Sequence, residues 1–221
     1  MAPITARQGL NGEVRVESKV GDQIRKGRVY FALKAPDALL LEAVSPSDDT
    51  LATLVMKGDK FLVFERGNPQ CRVGAPCAAN VASVLPIYLD GPDVLRLFYG
   101  HPPLLDGKVS EPEKDTDSGR WVLKVVSSDG RSQRVEFSSD GRDVLKALIQ
   151  HEGKTYLDVR YSDYSEGPHG ERLPFKTEIH NPMAKARVKM RIIDVQKLEE
   201  NEATFGTNCP SGSESVKVEC P

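Results

Sequence analysis

The sequence predicts a mainly β fold, an incomplete antiparallel β-barrel of about eleven strands with a short helical cap. Three observations predict it. Apolar and polar residues alternate with a period of two through residues 13–66 and again through 120–198. Turn signals built on Gly, Pro and Asp recur roughly every ten residues, the spacing of a meander or open barrel. Between the two β-rich halves lies one stretch of helical pattern, residues 78–99, split by Leu85-Pro86-Ile87. A sheet of this size has one long inner face. Two short helices cover such a face in part, so an apolar cavity is expected between helices and sheet.

In residues 13–20, Val14, Val16 and Ser18 share one face and Glu13, Arg15 and Glu17 the other, and Gly21-Asp22 turns the chain. In 24–34, Val29, Phe31 and Leu33 oppose Arg28, Tyr30 and Lys34, and Pro36-Asp37 breaks the strand. Residues 39–44 are almost continuously apolar, the mark of a strand covered wholly or partly on both faces. After the polar loop Ser45-Pro46-Ser47-Asp48-Asp49, residues 51–56 and 60–65 read as a hairpin about Lys57-Gly58-Asp59. Asn80 is placed to cap a short helix that runs to Leu85 and ends at Pro86. Asp90-Gly91-Pro92 opens a second helix with proline near its first turn. Val94, Leu95, Leu97 and Phe98 give that helix an apolar stripe, and Gly100 stops it.

Residues 106–119 are polar and read as a loop. Strands then resume. Trp121, Leu123 and Val125 alternate with Arg120, Val122 and Lys124, and Asp129-Gly130 turns into 131–138. Residues 144–150 fit either a short strand or one helical turn. Glu152-Gly153-Lys154 turns into 155–161, and 163–172 make a polar excursion. Leu173, Phe175, Thr177 and Ile179 mark the next strand, and Val188, Met190 and Ile192 the last. The slip in alternation at Ile192-Ile193 predicts a bulge or a strand end. We expect one domain, 1–221, with the helical cap at 78–100 and a disulfide-bounded tail at 206–221.

Composition narrows the function. Hydrophobic residues are 39% and charged residues 28%, enough for a core and against global disorder. A net charge of −2 supplies no overall field for nucleic acid or an anionic membrane. The apolar runs are far shorter than a membrane-spanning helix needs. The start, Met1-Ala2-Pro3-Ile4, fits a native start or an expression start placed after a removed export segment. Cys71 and Cys77 bracket a tight loop, and Cys209 and Cys220 bracket a polar tail, so two local disulfides are expected, Cys71 with Cys77 and Cys209 with Cys220. Four unpaired thiols, or one zinc site using all four, are the alternatives. Paired cysteines favour an oxidising compartment.

Catalytic signals are weak. The four histidines are scattered, and His169 with Glu166 and Glu171 is the best metal candidate, with a solvated loop as the plainer reading. Gly-x-Ser-x-Gly, Gly-x-Gly-x-x-Gly and phosphate-loop patterns are missing, so no cofactor is expected. Lys185, Arg187, Lys189 and Arg191 form a basic stripe that reads as the outer face of an amphipathic strand, with a partner or lipid head-group surface as the alternative. It lacks the interleaved aromatics of RNA binding.

Two stretches carry a family pattern. Asn11-Gly12-Glu13-Val14-Arg15-Val16, running on to Tyr30-Phe31-Ala32-Leu33-Lys34-Ala35-Pro36-Asp37, is a strand pair followed by a proline turn. Val81-Ala82-Ser83-Val84-Leu85-Pro86-Ile87, running on to Val94-Leu95-Arg96-Leu97-Phe98-Tyr99-Gly100-His101-Pro102, is a helix, a proline step, a second helix and a closing Gly-x-Pro. In both, the chain resembles the LolA/LolB-like superfamily of envelope lipoprotein carriers, and LolB-like outer-membrane lipoproteins most of all. The resemblance implies a strongly curved, incomplete barrel with helices plugging its open side and acyl chains held between them. The chain departs from the pattern twice. Residues 38–42, Ala-Leu-Leu-Leu-Glu, lack the arginine that LolA-like carriers bury there, and the loop at 45–49 is polar where LolB-like proteins expose an apolar residue.

The expected function is therefore non-enzymatic binding of a lipid or lipoprotein acyl chain, as carrier or receptor, in the periplasm or at the outer membrane. The alternative is a structural or docking lipoprotein of an envelope complex, partnered by another envelope protein and holding no lipid. Membrane association is expected through an N-terminal lipid anchor upstream of this chain. The cavity is expected to be lined by Val29, Phe31, Leu39 and Leu41 on the sheet side and by Leu85, Leu95 and Phe98 on the helix side. Trp121 and Leu123 are expected to close it from the second half.

Overall fold

A computed structural model describes residues 9–199 and 204–220; the start at Met1-Ile4 and the last residue of the tail lie outside them. The first half runs β1 (Gly9–Val20), β2 (Gln23–Lys34), β3 (Ala38–Val44), β4 (Thr50–Lys57), β5 (Lys60–Glu65) and β6 (Gln70–Gly74). Two helices follow, α1 (Ala78–Ala82) and α2 (Gly91–Phe98). The second half runs β7 (Lys108–Val109), β8 (Glu113–Lys114), β9 (Trp121–Val126), β10 (Arg131–Phe137), β11 (Val144–His151), β12 (Lys154–Glu166), β13 (Arg172–Asn181), β14 (Ala186–Lys197) and β15 (Glu214–Val218).

All fifteen strands belong to one sheet that does not close, in the order β15-β6-β5-β4-β3-β2-β1-β14-β13-β12-β11-β10-β9-β7, with β8 beside β9. The fold is thus mainly β, and antiparallel except where β15 lies parallel to β6. The chain starts near the middle of the sheet, at β1, and works outward to β6. It then crosses through α1 and α2 and returns inward from the far edge, so that β14 closes onto β1 with Val16 opposite Met190 and Ser18 opposite Val188. The two halves are joined by this pairing and by the helices, because α2 packs on both β3 and β13.

Period-two alternation gives the sheet an apolar inner face. Val14, Phe31, Leu33, Leu39, Leu41, Leu54, Met56, Phe61 and Val63 from the first half form one core with Val135, Ile149, Leu157, Val159 and Ile179 from the second. The helices bury Val81, Val94, Leu95, Leu97 and Phe98 in that core. Asp90 caps α2 as expected, its carboxylate accepting the Asp93 N–H at 2.9 Å, and the following Gly91-Pro92 fills the first turn. Gly100 ends the helix at φ +71°, a conformation that costs glycine little.

The structure corrects several expectations. α1 begins after Cys77 and ends at Ala82, so Asn80 is inside the helix rather than at its cap. Its buried amide instead donates to the Ala75 carbonyl at 2.9 Å. Residues 144–150 are strand, within β11. Part of the polar stretch at 106–119 pairs with β9 as β7 and β8. The excursion at 163–172 is shorter than expected, because residues 163–166 extend β12 and Arg172 begins β13, leaving 167–171 as the turn.

The disulfide pairing differs most. Cys71 bonds Cys209, 138 residues away, and Cys77 bonds Cys220, 143 residues away. The region around Cys71 is not a loop but β6, and the tail that carries Cys209 and Cys220 lies along it as β15, with Ser215 opposite Cys71. Cys71 is fully buried on the outer side of the first half, in a second core with Ala32, Ala38, Val55, Leu62 and Phe205. Each half-cystine therefore faces the tail, not its sequence neighbour. The two bonds hold the tail at both ends against an otherwise unpaired strand edge.

Candidate functional site: a cavity between sheet and helices

The inner faces of β1, β2, β3, β4 and β14 meet the connection between α1 and α2 around a cavity of 410 Å³. The local sequence explains the gap. Pro86 ends the first helical turn, so residues 83–87 cross the sheet as irregular chain rather than as a packed helix face. Opposite them, Ala43 and Ala52 are cross-strand partners on β3 and β4, two small side chains where larger ones would fill the space.

The lining is mostly apolar. Val16, Val29, Leu41, Leu54, Val188 and Met190 form the sheet side, and Val84, Leu85, Ile87, Leu97 and Phe98 the helix side. Arg25, Thr53, Glu65 and Ser83 are the charged and hydroxyl groups on the wall. Glu65 and Ser83 are tied together through Arg72, whose guanidinium donates to Glu65 at 3.0 Å and to the Ser83 hydroxyl at 3.1 Å. Arg25, on the exposed part of β2, is left facing the opening. A cavity of this volume, apolar with a few polar groups, is of the size and kind that holds small-molecule ligands.

Of the residues expected to line the cavity, Val29, Leu41, Leu85 and Phe98 do so. Phe31, Leu39 and Leu95 lie behind that lining, buried in the core, where the Phe31 ring meets Phe98 at 5.2 Å between centroids. Trp121 and Leu123 are half-buried on β9 and are not part of the wall. Trp121 lies 5.8 Å from the Lys114 ammonium, and Leu123 packs at the margin of the core. Val188 and Met190 were legible as one face of an amphipathic strand, but their place in the cavity depends on β14 pairing with β1, which no local signal announces. Ala43 and Ala52 leave the space by being small, and a small residue carries little hydrophobic signal.

Two partly buried titratable groups lie at opposite ends of α2, Asp93 in its first turn and His101 just past its last. Burial, then the neighbouring Asp90 carboxylate, pushes the Asp93 carboxyl up to about 6. Burial pushes the His101 imidazole down to about 4. The Tyr161 hydroxyl, fully buried, donates to the His101 carbonyl at 2.8 Å and is held neutral by burial. The Tyr161 bond fastens the end of α2 to β12. The His169 loop is likewise closed on itself, with Glu171 accepting the His169 N–H at 2.8 Å and the imidazole Nε2 bonded to the Gly9 carbonyl at 3.0 Å. Among the described residues no group of three or more His, Cys, Asp or Glu is placed to hold a metal ion.

No protein-family model matches the chain, and no curated protein sequence matches it. Solved structures do. The fold is similar to that of a LolA superfamily protein from Nitrosomonas europaea, at TM-score 0.62 and 14% identity over 91% of each chain. It is similar to a DUF1329 family protein from Desulfovibrio piger, at TM-score 0.66 and 13% identity over 92% of this chain and 91% of that one. It is also similar to a putative outer membrane lipoprotein-sorting protein domain from Vibrio parahaemolyticus, at TM-score 0.60 and 12% identity over 90% and 89%. The chain has a LolA/LolB-like fold.

Proposed function

We propose that the protein is a non-enzymatic carrier or receptor for the acyl chain of a lipid or lipoprotein in the bacterial envelope. The observation that carries this reading is the 410 Å³ apolar cavity between the inner sheet face and the α1–α2 connection. Burying methylenes there stabilises a complex by ~0.8 kcal/mol each, so a cavity that takes only part of a chain still binds usefully. The structural neighbours support the reading at the level of fold, since one is described as a lipoprotein-sorting domain. The two disulfides support an oxidising compartment, as the periplasm is. Membrane attachment through an N-terminal lipid anchor belongs to the same proposal.

Native mass spectrometry of protein purified from its own envelope, followed by lipid extraction, tests the reading. A mass increment that matches an extracted acyl lipid supports it. A clean unliganded mass, with a stable envelope partner in the same preparation, favours a docking protein whose cavity stays empty.

A further inference from the structure

The outer face of the same strands carries a charge pattern that the cavity does not use. Two neighbouring rows of side chains cross it, and strand register fixes both. In one row Lys26 faces Glu17, Glu17 faces Lys189, Lys189 faces Glu178 and Glu178 faces Arg160. The sign alternates at every strand, as stable cross-strand pairing favours. In the next row Arg28 faces Arg15, Arg15 faces Arg191 and Arg191 faces Lys176. Four cations stand directly opposite one another on β2, β1, β14 and β13, an arrangement that is destabilising unless an anion joins it.

The protein's own acids reach this row only from its margins. Asp48 and Glu13 hold Arg28 at one end, and Lys176 pairs with Glu178 at 2.9 Å at the other. Arg191 meets only the exposed Asp163 at 3.5 Å, and among the described residues Arg15 makes no ion pair. The row lies in an open groove of 600 Å³, whose one acidic lining residue, Glu17, is paired with Lys26 at 2.8 Å. One wall of that groove is formed at the β3–β4 turn, where Pro46 and the half-exposed Leu51 present apolar surface.

We propose that this groove binds a phosphate group, with Arg15 and Arg191 as its central ligands and Arg28 and Lys176 beside them. Facing Cβ atoms on paired strands are ~4.5–5.5 Å apart, so neighbouring cations can converge on one compact anion. A phosphate offers three acceptor oxygens and, as a monoester, about −1.5 to −2 of charge. A single carboxylate brings one charge to the same row. Guanidinium forks match phosphate geometry with two parallel hydrogen bonds. The apolar wall suits the organic body that carries the phosphate. Because residues alternate in direction along each strand, the Val16 and Met190 side chains are on the opposite face from Arg15 and Arg191, and β1 and β14 form a wall that the two sites share.

The test uses two probes, inorganic pyrophosphate by calorimetric titration and phosphatidic acid vesicles, whose head group is a phosphate monoester, by co-sedimentation, with phosphatidylcholine vesicles for comparison. The variants are Arg15→Gln/Arg191→Gln, the charge-retaining Arg15→Lys, and Lys60→Gln on β5 as a control. Wild type and the control are expected to bind at least one probe, more weakly as salt rises. The double variant is expected to bind about tenfold more weakly or not at all, with Arg15→Lys between. Without anion the double variant is expected to melt no earlier than wild type, because it relieves like-charge contact, and to take up fluorescent fatty acid normally. Pyrophosphate binding alone identifies a free phosphate compound, and vesicle binding alone a lipid-borne phosphate. Failure of wild type to bind either probe overturns the proposal, as does equal binding by the double variant. Tighter binding of poly-glutamate than of both probes overturns it in favour of an acidic peptide.

Discussion

Removing the Cys77–Cys220 bond alone should cost far less than its 143-residue loop implies. In the chain-entropy account a cross-link stabilises by restricting the unfolded chain, by ~5 kcal/mol for a loop near 140 residues. Cys71–Cys209 already closes most of that loop. With it in place, Cys77 is six residues from one end of the existing link and Cys220 eleven from the other, so the second bond closes only about seventeen residues. Its contribution is then ~3 kcal/mol. Reducing both bonds should cost ~8 kcal/mol, more than twice either single loss and comparable to the whole stability of an ordinary domain at ~5–15 kcal/mol. The assay is denaturant unfolding of wild type and Cys77→Ala/Cys220→Ala, each oxidised and fully reduced, with non-reducing peptide mapping of both. The variant should lose ~3 kcal/mol and keep Cys71 bonded to Cys209. Free thiols at Cys71 and Cys209 in the variant would refute the interleaved pairing. Losses of ~5 kcal/mol for each bond, strictly additive, would refute the loop argument.

Two further outcomes follow from the two ends of α2. The Asp93 carboxyl is raised above its ordinary value, so its contribution to stability is present below pH 4 and is lost as pH rises through about 6. The His101 imidazole is lowered, so its contribution is present above its ordinary 6.5 and is lost as pH falls toward about 4. Asp93→Asn, which still accepts the Leu104 N–H, is expected to raise the melting temperature at pH 7, by roughly 2 kcal/mol in stability, and to change little at pH 4; equal effects at both pH values would contradict this. Gly100→Ala combines a positive φ with a Cβ only 2.6 Å from the Pro174 ring, and is expected to destabilise by ~1–3 kcal/mol in thermal unfolding, where an unchanged melting temperature would contradict the packing described here.

Much of the fold is legible in the sequence because its strands alternate cleanly and its turns carry the residues that turns need. β1, β2, β4 and β5 follow directly from Val14-x-Val16, Val29-x-Phe31 and the Lys57-Gly58-Asp59 hairpin. α2 follows from Asp90, Pro92 and Gly100. What the sequence hides is pairing over long separations. Nothing local says that Val16 on β1 will lie beside Met190 on β14, or that β15 will add to β6. The disulfide pairing was hidden for the same reason, since proximity along the chain favours Cys71 with Cys77 while the tail's docking brings Cys209 there instead. β6 is five residues with one polar excursion at Arg72, too short for its period to show. The cavity was half legible. Val29, Leu41, Leu85 and Phe98 could be placed by alternation and helical spacing, but which apolar residues face a void and which fill the core is decided by packing, as Phe31, Leu39 and Leu95 show.

The most direct measurement of the central claim is titration of a fluorescent long-chain fatty acid into wild type and Ala52→Trp/Leu85→Trp, with folding of both checked by circular dichroism. Both positions line the cavity, one on β4 and one in the α1–α2 connection. Saturable binding by wild type, reduced at least about tenfold (~1.4 kcal/mol) in a folded variant, is the predicted result. Negligible binding by well-folded wild type, or equal binding by both proteins, would contradict an acyl-chain site between sheet and helices.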